Sequence, residues 1–180
     1  MIAGVLNPDS ELTLEGCNVD HLGNLPELLS KTGAKVDVNG TTIKVQAPKE
    51  LEAVSIATEV YPGFPTDMQA QWATMMTQAN GVSTVTDTVY YDRFSYVPEL
   101  TRLGADMRLE KNTVTIFGKT DFEGASVMST DLRASVSLVL AAMVAENETE
   151  VLRVYHLDRG YENLEHKLNA VGAKIKRVDE

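Results

Sequence analysis

Aspartate and arginine hold matched places along this 180-residue chain. Thr66-Asp67 is echoed by Thr130-Asp131, and Asp92-Arg93 by Asp158-Arg159, with Arg133 two residues beyond Asp131. A planar guanidinium fork suits carboxylate or phosphate through two parallel hydrogen bonds. On a chain of formal net charge −10, any anionic ligand must be held by arginines placed locally in this way. Two plainer readings stand beside that one. The helix dipole favours an aspartate in a first turn whatever its function. An Asp-Arg dipeptide can also be a turn with a surface charge pair worth under about 1 kcal/mol.

These positions belong to a repeat. Residues 24–46, 96–118 and 163–178 are versions of one another, with Gly33-Ala34, Gly104-Ala105 and Gly172-Ala173 in the same place. Self-similarity at a period of roughly 70 residues marks one supersecondary unit used several times. The chain therefore reads as a single triplicated domain over 1–180, with units at about 1–58, 59–123 and 124–180. Matched positions bring charged groups from different units to one end of such a structure. The first unit is truncated: it has no Thr-Asp and no Asp-Arg landmark, and His21-Leu22-Gly23 stands where Arg93 and Arg159 stand. Its long helix would begin before Met1 with 1–6 as its tail, so the chain reads as a piece of something longer.

Each unit has the same order. A long helix comes first, expected over 66–80 and 130–146. Gln69 three residues after Thr66 has the spacing of a capping box, and Asn80-Gly81 supplies a stop. A strand follows over 82–89 or 150–154, then a loop carrying Asp-Arg. A second helix over 97–103 or 163–171 ends at the Gly-Ala pair. Strands at 106–109 and 113–117 flank Glu110-Lys111-Asn112, a hairpin turn. The stretches 68–79 and 134–145 contain no charged residue. Surface helices carry a polar face, so these two belong in the centre with strands outside, and Trp72, Met75 and Met76 are core. In 163–171, Leu164, Leu168 and Val171 should form the buried face, with Glu165, His166 and Lys167 outside.

Composition excludes several classes. The acidic balance disfavours nucleic acid and anionic membrane. No apolar run approaches the roughly 20 residues of a membrane span, and the first ten residues carry no basic leader. One cysteine, Cys17, excludes an intrachain disulfide and fits a reducing, cytoplasmic setting. It lies in the strand-like stretch 11–19, where a half-buried structural thiol is expected. His21, His156 and His166 share no metal-ligand spacing, and no glycine-rich phosphate loop or GxSxG is present.

The strings YPGFPTDMQAQ (61–71), STDLRAS (129–135) and YHLDRGYENLEHKL (155–168) resemble the enolpyruvyl transferases, above all the branch acting on UDP-N-acetylglucosamine. The likeness runs over almost the whole chain. It implies an α/β inside-out barrel of three repeats, helices in the middle and sheets around them. It further implies transfer of the enolpyruvyl group of phosphoenolpyruvate to the sugar 3-hydroxyl, with release of phosphate and no cofactor or metal. On that resemblance Asp67 contacts the 3-hydroxyl as base, and Arg159 binds phosphoenolpyruvate. Arg93, Asp131 and Arg133 join them as catalytic residues, and Val89 holds the sugar nucleotide through its backbone. Tyr91-Asp92-Arg93 stands where the family more usually has Glu-Asn-Arg.

The family's reactive cysteine lies on a loop of a second domain, and Cys17 does not match it. Catalysis falls in a cleft between the two domains, so this chain by itself is expected to be inactive. The truncated first unit should leave an apolar groove through which copies self-associate. Two alternatives stand: a free-standing binding or scaffold protein derived from this fold, and a domain of the related shikimate-3-phosphate enzyme.

Overall fold

The computed structural model describes residues 1–178; the end of the third stretch, residues 179–180, lies outside them. The first stretch runs α1 (Ile2–Leu6), β1 (Glu11–Leu14), α2 (Leu25–Lys31), β2 (Lys35–Asn39) and β3 (Thr42–Gln46). After β4 (Leu51–Glu52), the second runs β5 (Ile56–Ala57), α3 (Gln69–Met76), β6 (Ala79–Asn80), β7 (Val82–Thr86), α4 (Tyr96–Arg102), β8 (Met107–Glu110) and β9 (Thr113–Phe117). The third has β10 (Ser126–Met128), α5 (Leu132–Ala142), β11 (Glu150–Leu152), α6 (Tyr155–Asp158) and α7 (Leu164–Ala170).

Two sheets share one plan. The first has the order β1-β3-β2 and the second β7-β9-β8, antiparallel throughout, with β5 added parallel to β7. β10 pairs in parallel with β11, and β4 with β6. The parallel pairs β5/β7 and β10/β11 enclose α3 and α5, as a crossover connection requires. Both hairpins close on two residues, between Asn39 and Thr42 and between Glu110 and Thr113. Such a turn needs positive φ, and Gly40 at 58° is matched by Lys111 at 55°. Among the described residues no strand of one sheet pairs with a strand of another, so the sheets do not close into a barrel.

The uncharged helices are buried. All eight residues of α3 are inaccessible or nearly so, as are residues 134–141 of α5. They pack on each other, α1 packs on α3, and the three back onto β3, β7 and β11 respectively. Trp72 lies fully buried, its ring edge-on to Phe64 at 5.3 Å and its Nε1 donating to the Val54 carbonyl at 3.1 Å. Each such side chain withdrawn from water contributes about 1.5–3 kcal/mol. A satellite cluster of Val136, Val139 and Leu157 receives Leu164 and Leu168 from α7. The Gly-Ala pairs end helices as expected: Gly33, Gly104 and Gly172 take φ of 89°, 111° and 105°.

Several boundaries differ from the sequence reading. The helix expected over 66–80 is a 3-10 turn, Thr66–Met68, followed by α3. It stops at Met76 because Ala79 and Asn80 pair with Leu51 and Glu52 as strands. The helix expected over 130–146 occupies only Leu132–Ala142. The strand expected over 82–89 ends at Thr86, where Asp87 gathers the N–H groups of Val89 and Tyr90. Val171 lies past the end of α7 and is exposed. Cys17 is half-buried as expected but outside the strand, which stops at Leu14 before Gly16 turns the chain; its N–H donates to Thr41. No described helix is long and apolar enough to cross a membrane.

Candidate active site

Asp67 is where charged groups from two stretches converge. Its Oδ1 accepts Arg93 Nη1 at 2.8 Å and Arg133 Nε at 2.5 Å, while 64% of the side chain is exposed. Arg93 follows β7, Arg133 opens α5, and Asp67 sits in the 3-10 turn before α3. Oδ2 accepts no hydrogen bond among the described residues. Nor do Nε and Nη2 of Arg93, or the two Nη of Arg133, find an acceptor there. A carboxylate oxygen with a free lone pair thus lies beside guanidinium N–H groups with unused donor capacity. Such a set can accept a proton from one group while its cations hold an anion.

The turn bearing Asp67 is shaped by side chains that looked like a helix cap. Thr66 and Gln69 do not cap α3. Thr66 Oγ1 donates to Asp87 at 2.5 Å and accepts Arg93 Nη1 at 3.2 Å. The Gln69 amide donates to the Arg93 carbonyl at 2.8 Å and to Asp87 at 3.3 Å. The Tyr96 hydroxyl, wholly buried, donates to Gln69 Oε1 at 2.7 Å. Burial and the nearby Asp87 charge push the Tyr96 phenol well above its ordinary pKa. Tyr90 lies under Arg93, its ring centre 4.4 Å from the guanidinium carbon, a cation–π contact.

Asp131 does something different. It is the N-cap of α5, its Oδ1 accepting the N–H groups of Arg133 at 2.8 Å and Ala134 at 3.1 Å. Ser95 donates to its Oδ2 at 2.7 Å. Burial raises its pKa, but the Ser95 hydroxyl and the two backbone donors outweigh that and hold it below the usual value. Val89 is exposed, with its N–H tied to Asp87 Oδ1 at 3.0 Å.

Arg159 caps α6 and is exposed; its N–H donates to the Leu157 carbonyl, and among the described residues its side chain has no hydrogen bond or ion pair. Its neighbours tie it to this end of the fold. A Cβ on Gly160 would come within 2.8 Å of Leu132 at the start of α5. The Tyr161 hydroxyl accepts Gln71 Nε2 at 3.3 Å and feels the charges of Asp67 and Arg133, though burial is what chiefly raises its pKa. Neither Asp-Arg dipeptide forms a local pair. Asp158 is bound instead by Arg177 at 2.6 and 2.9 Å.

The sequence reading missed Asp87, Tyr96, Ser95 and Tyr161, and took Gln69 only for a helix cap. An aspartate closing the Thr/Val alternation of residues 82–86 was the available signal for Asp87. Two surface hollows of about 450 and 410 Å³ are lined by neither Asp67, Arg93 nor Arg133. Among the described residues no three His, Cys, Asp or Glu side chains cluster as metal ligands.

The family model described as EPSP synthase (3-phosphoshikimate 1-carboxyvinyltransferase) matches residues 1–168. The UDP-N-acetylglucosamine 1-carboxyvinyltransferase of Chlorobium phaeovibrioides is 48% identical over 177 residues, 98% of this chain and 42% of that protein. The one from Chlorobaculum parvum is 51% identical over 166 residues, 92% of this chain and 39% of that protein. The chain therefore spans about two fifths of the length of these relatives. Among solved structures, the enolpyruvyl transferase NikO from Streptomyces tendae superposes with TM-score 0.88 at 29% identity, covering 97% of this chain and 42% of its own. An EPSP synthase from Acinetobacter baumannii, at TM-score 0.75 and 16% identity over 99% of this chain and 45% of its own, shares the fold.

Proposed function

The chain belongs to the enolpyruvyl transferase (EPSP synthase-type) family, and we propose that it is one domain of a UDP-N-acetylglucosamine 1-carboxyvinyltransferase of peptidoglycan synthesis. The observation that carries this reading is Asp67, whose Oδ1 holds Arg93 and Arg133 while Oδ2 is left open. Oδ2 takes the proton of the sugar 3-hydroxyl as that oxygen bonds to C2 of phosphoenolpyruvate, while C3 takes a proton from an acid outside this chain, giving a tetrahedral ketal. Return of a C3 proton to that group, with phosphate leaving C2 and carrying off the proton held by Asp67, then restores the double bond. Spare N–H groups of Arg93 and Arg133, with the unpaired Arg159, hold the carboxylate and phosphate as charge shifts between them. Val89 supports the sugar nucleotide through its backbone, and Asp131 acts by fixing Arg133 at the head of α5.

The matching orders β1-β3-β2 and β7-β9-β8, and the buried α3 and α5, support a three-unit inside-out barrel with a truncated first unit. The reaction belongs to the full length, in a cytoplasmic setting, and this chain alone is expected to bind its substrates at millimolar affinity or not at all and to show no turnover.

Asp67→Asn in the full-length protein tests the reading. Phosphate release from phosphoenolpyruvate and UDP-N-acetylglucosamine should fall by about 10²-fold or more. Unchanged turnover would overturn it. The family model's own description favours a second acceptor, shikimate 3-phosphate; turnover with that compound in place of the sugar nucleotide would establish it. Turnover with neither would leave a binding or scaffold role.

A further inference from the structure

Asp87 is a fully buried carboxylate that the proposed reaction does not use. A buried carboxylate is costly unless every lone pair is matched by a donor. Here the match is complete. Oδ1 accepts the Thr58 hydroxyl at 2.6 Å and the N–H groups of Val89 at 3.0 Å and Tyr90 at 2.8 Å. Oδ2 accepts the Thr66 hydroxyl at 2.5 Å and the Gln69 amide at 3.3 Å. Its main chain is fixed too, exchanging hydrogen bonds with the Asn112 carbonyl and side-chain amide at 2.8 and 2.9 Å.

Four of the five donors share a consequence. Thr66 carries the hydroxyl that accepts Arg93 Nη1, Tyr90 carries the ring under the guanidinium, and Gln69 holds the Arg93 carbonyl. Because Thr66 spends its proton on Asp87, its oxygen is left as an acceptor, which is the polarity Arg93 needs. Val89, the residue proposed to support the sugar nucleotide, hangs from the same oxygen as Tyr90. We propose that Asp87 is a positioning residue, one buried carboxylate that sets both the Arg93 clamp on Asp67 and the Val89 backbone that receives the sugar nucleotide. This rests on the reading of Asp67 given above.

An asparagine at this position presents one acceptor and one donor. Its amide can serve Thr58, Val89 and Tyr90 through oxygen, but it then faces Gln69 and Thr66 with N–H groups and reverses the Thr66 hydroxyl. Arg93 loses its second acceptor and the loop 87–93 loosens. Errors of about 1 Å in such groups cost on the order of 10² in rate.

The test is steady-state kinetics of the full-length protein carrying Asp87→Asn or Thr66→Val, with Asp67→Asn alongside. Thr66→Val removes the hydroxyl that links Asp87 to Arg93 and leaves Asp87 its other four donors, so it decides the matter if Asp87→Asn does not fold. Both should lower kcat about tenfold or more, and Asp87→Asn, which also disturbs Val89, should raise KM for UDP-N-acetylglucosamine. KM for phosphoenolpyruvate should rise less than in Arg159→Ala, since of the three arginines assigned to that substrate only Arg93 lies in the network. Lower melting temperature with unchanged kcat and KM in both variants would make Asp87 structural and overturn the inference. Normal turnover in Asp67→Asn would remove the reading of Asp67, leaving Asp87 to be judged on the sugar-nucleotide KM.

Discussion

Asp67 and Asp131 occupy matched places in two units and turn opposite ways. Asp131 bends back onto its own helix, capping the N–H groups of Arg133 and Ala134. Asp67 turns from its helix and binds two arginines, one of them that same Arg133. The capping aspartate thus sets the first turn from which Arg133 reaches the exposed one. One repeated position caps a helix in one place and gathers two arginines in the other.

The first prediction follows from that cap. Its pKa is held below the unfolded value, so its contribution to stability is present above the unfolded pKa of about 3.9 and is lost as pH falls through the folded one. Asp131→Ala should lower stability by about 1 kcal/mol at neutral pH. The gap between variant and parent should close on acidification below about pH 4. Melting curves from pH 7 to pH 3 would check this. A gap that persists at the acid end would mean that Asp131 acts through shape and not through its charge.

Lys111 carries the second prediction. Its φ of 55° lies in the left-handed region that Gly40 fills in the first hairpin. A side chain there costs about 1–2 kcal/mol, partly offset because glycine loosens the unfolded chain. Lys111→Gly should raise stability by about 0.5–1 kcal/mol. Gly40→Ala should lower it by a comparable amount. Urea unfolding of the two variants would measure both, and opposite signs are required.

How much was legible follows from how local each signal is. The three helix ends were visible because the glycine of each Gly-Ala pair answers a need met within six residues. The central helices were visible because a run with no charge has few places to go. The network around Asp87 was not. Thr66 and Gln69 have capping-box spacing whether they bond to their own helix or to an aspartate some twenty residues on. Asp67 with Arg133, and Asp158 with Arg177, are distant in sequence, and only the packing of α3 on α5 or of α7 on its neighbours brings them together. A local Asp158–Arg159 pair was the plainer alternative to an anion-binding Arg159, and nothing in the spacing pointed to Arg177 as the partner Asp158 takes.

α1 gives the third prediction. Its Ile2, Val5 and Leu6 are buried in the core, with the helix seated against α3 and β3. A five-residue helix has no stability of its own, so the same seat can be taken by α1 of a second copy, a low-cost exchange. Sedimentation equilibrium of this chain should show association at high concentration, abolished by Val5→Asp. A monomer across the whole range would mean that α1 stays on its own chain.

The last prediction concerns Arg159. It is exposed and without a side-chain partner among the described residues, whereas its neighbour Asp158 is held by Arg177. Removing Arg159 therefore breaks no ion pair, and Gly160 can keep its contact with Leu132. Arg159→Ala should leave the melting temperature of the full-length protein nearly unchanged. If Arg159 holds phosphoenolpyruvate, kcat/KM for that substrate should fall by about 10²–10³. Affinity for the sugar nucleotide should stay within a few-fold. Arg159→Lys should fare little better, because a point charge cannot replace a planar fork. The pair Asp158–Arg177 supplies the control: Arg177→Ala should cost under about 1 kcal/mol of stability and leave the kinetics with phosphoenolpyruvate intact. Kinetics disturbed equally by Arg177→Ala and Arg159→Ala would show that the loop's geometry matters and the free guanidinium does not.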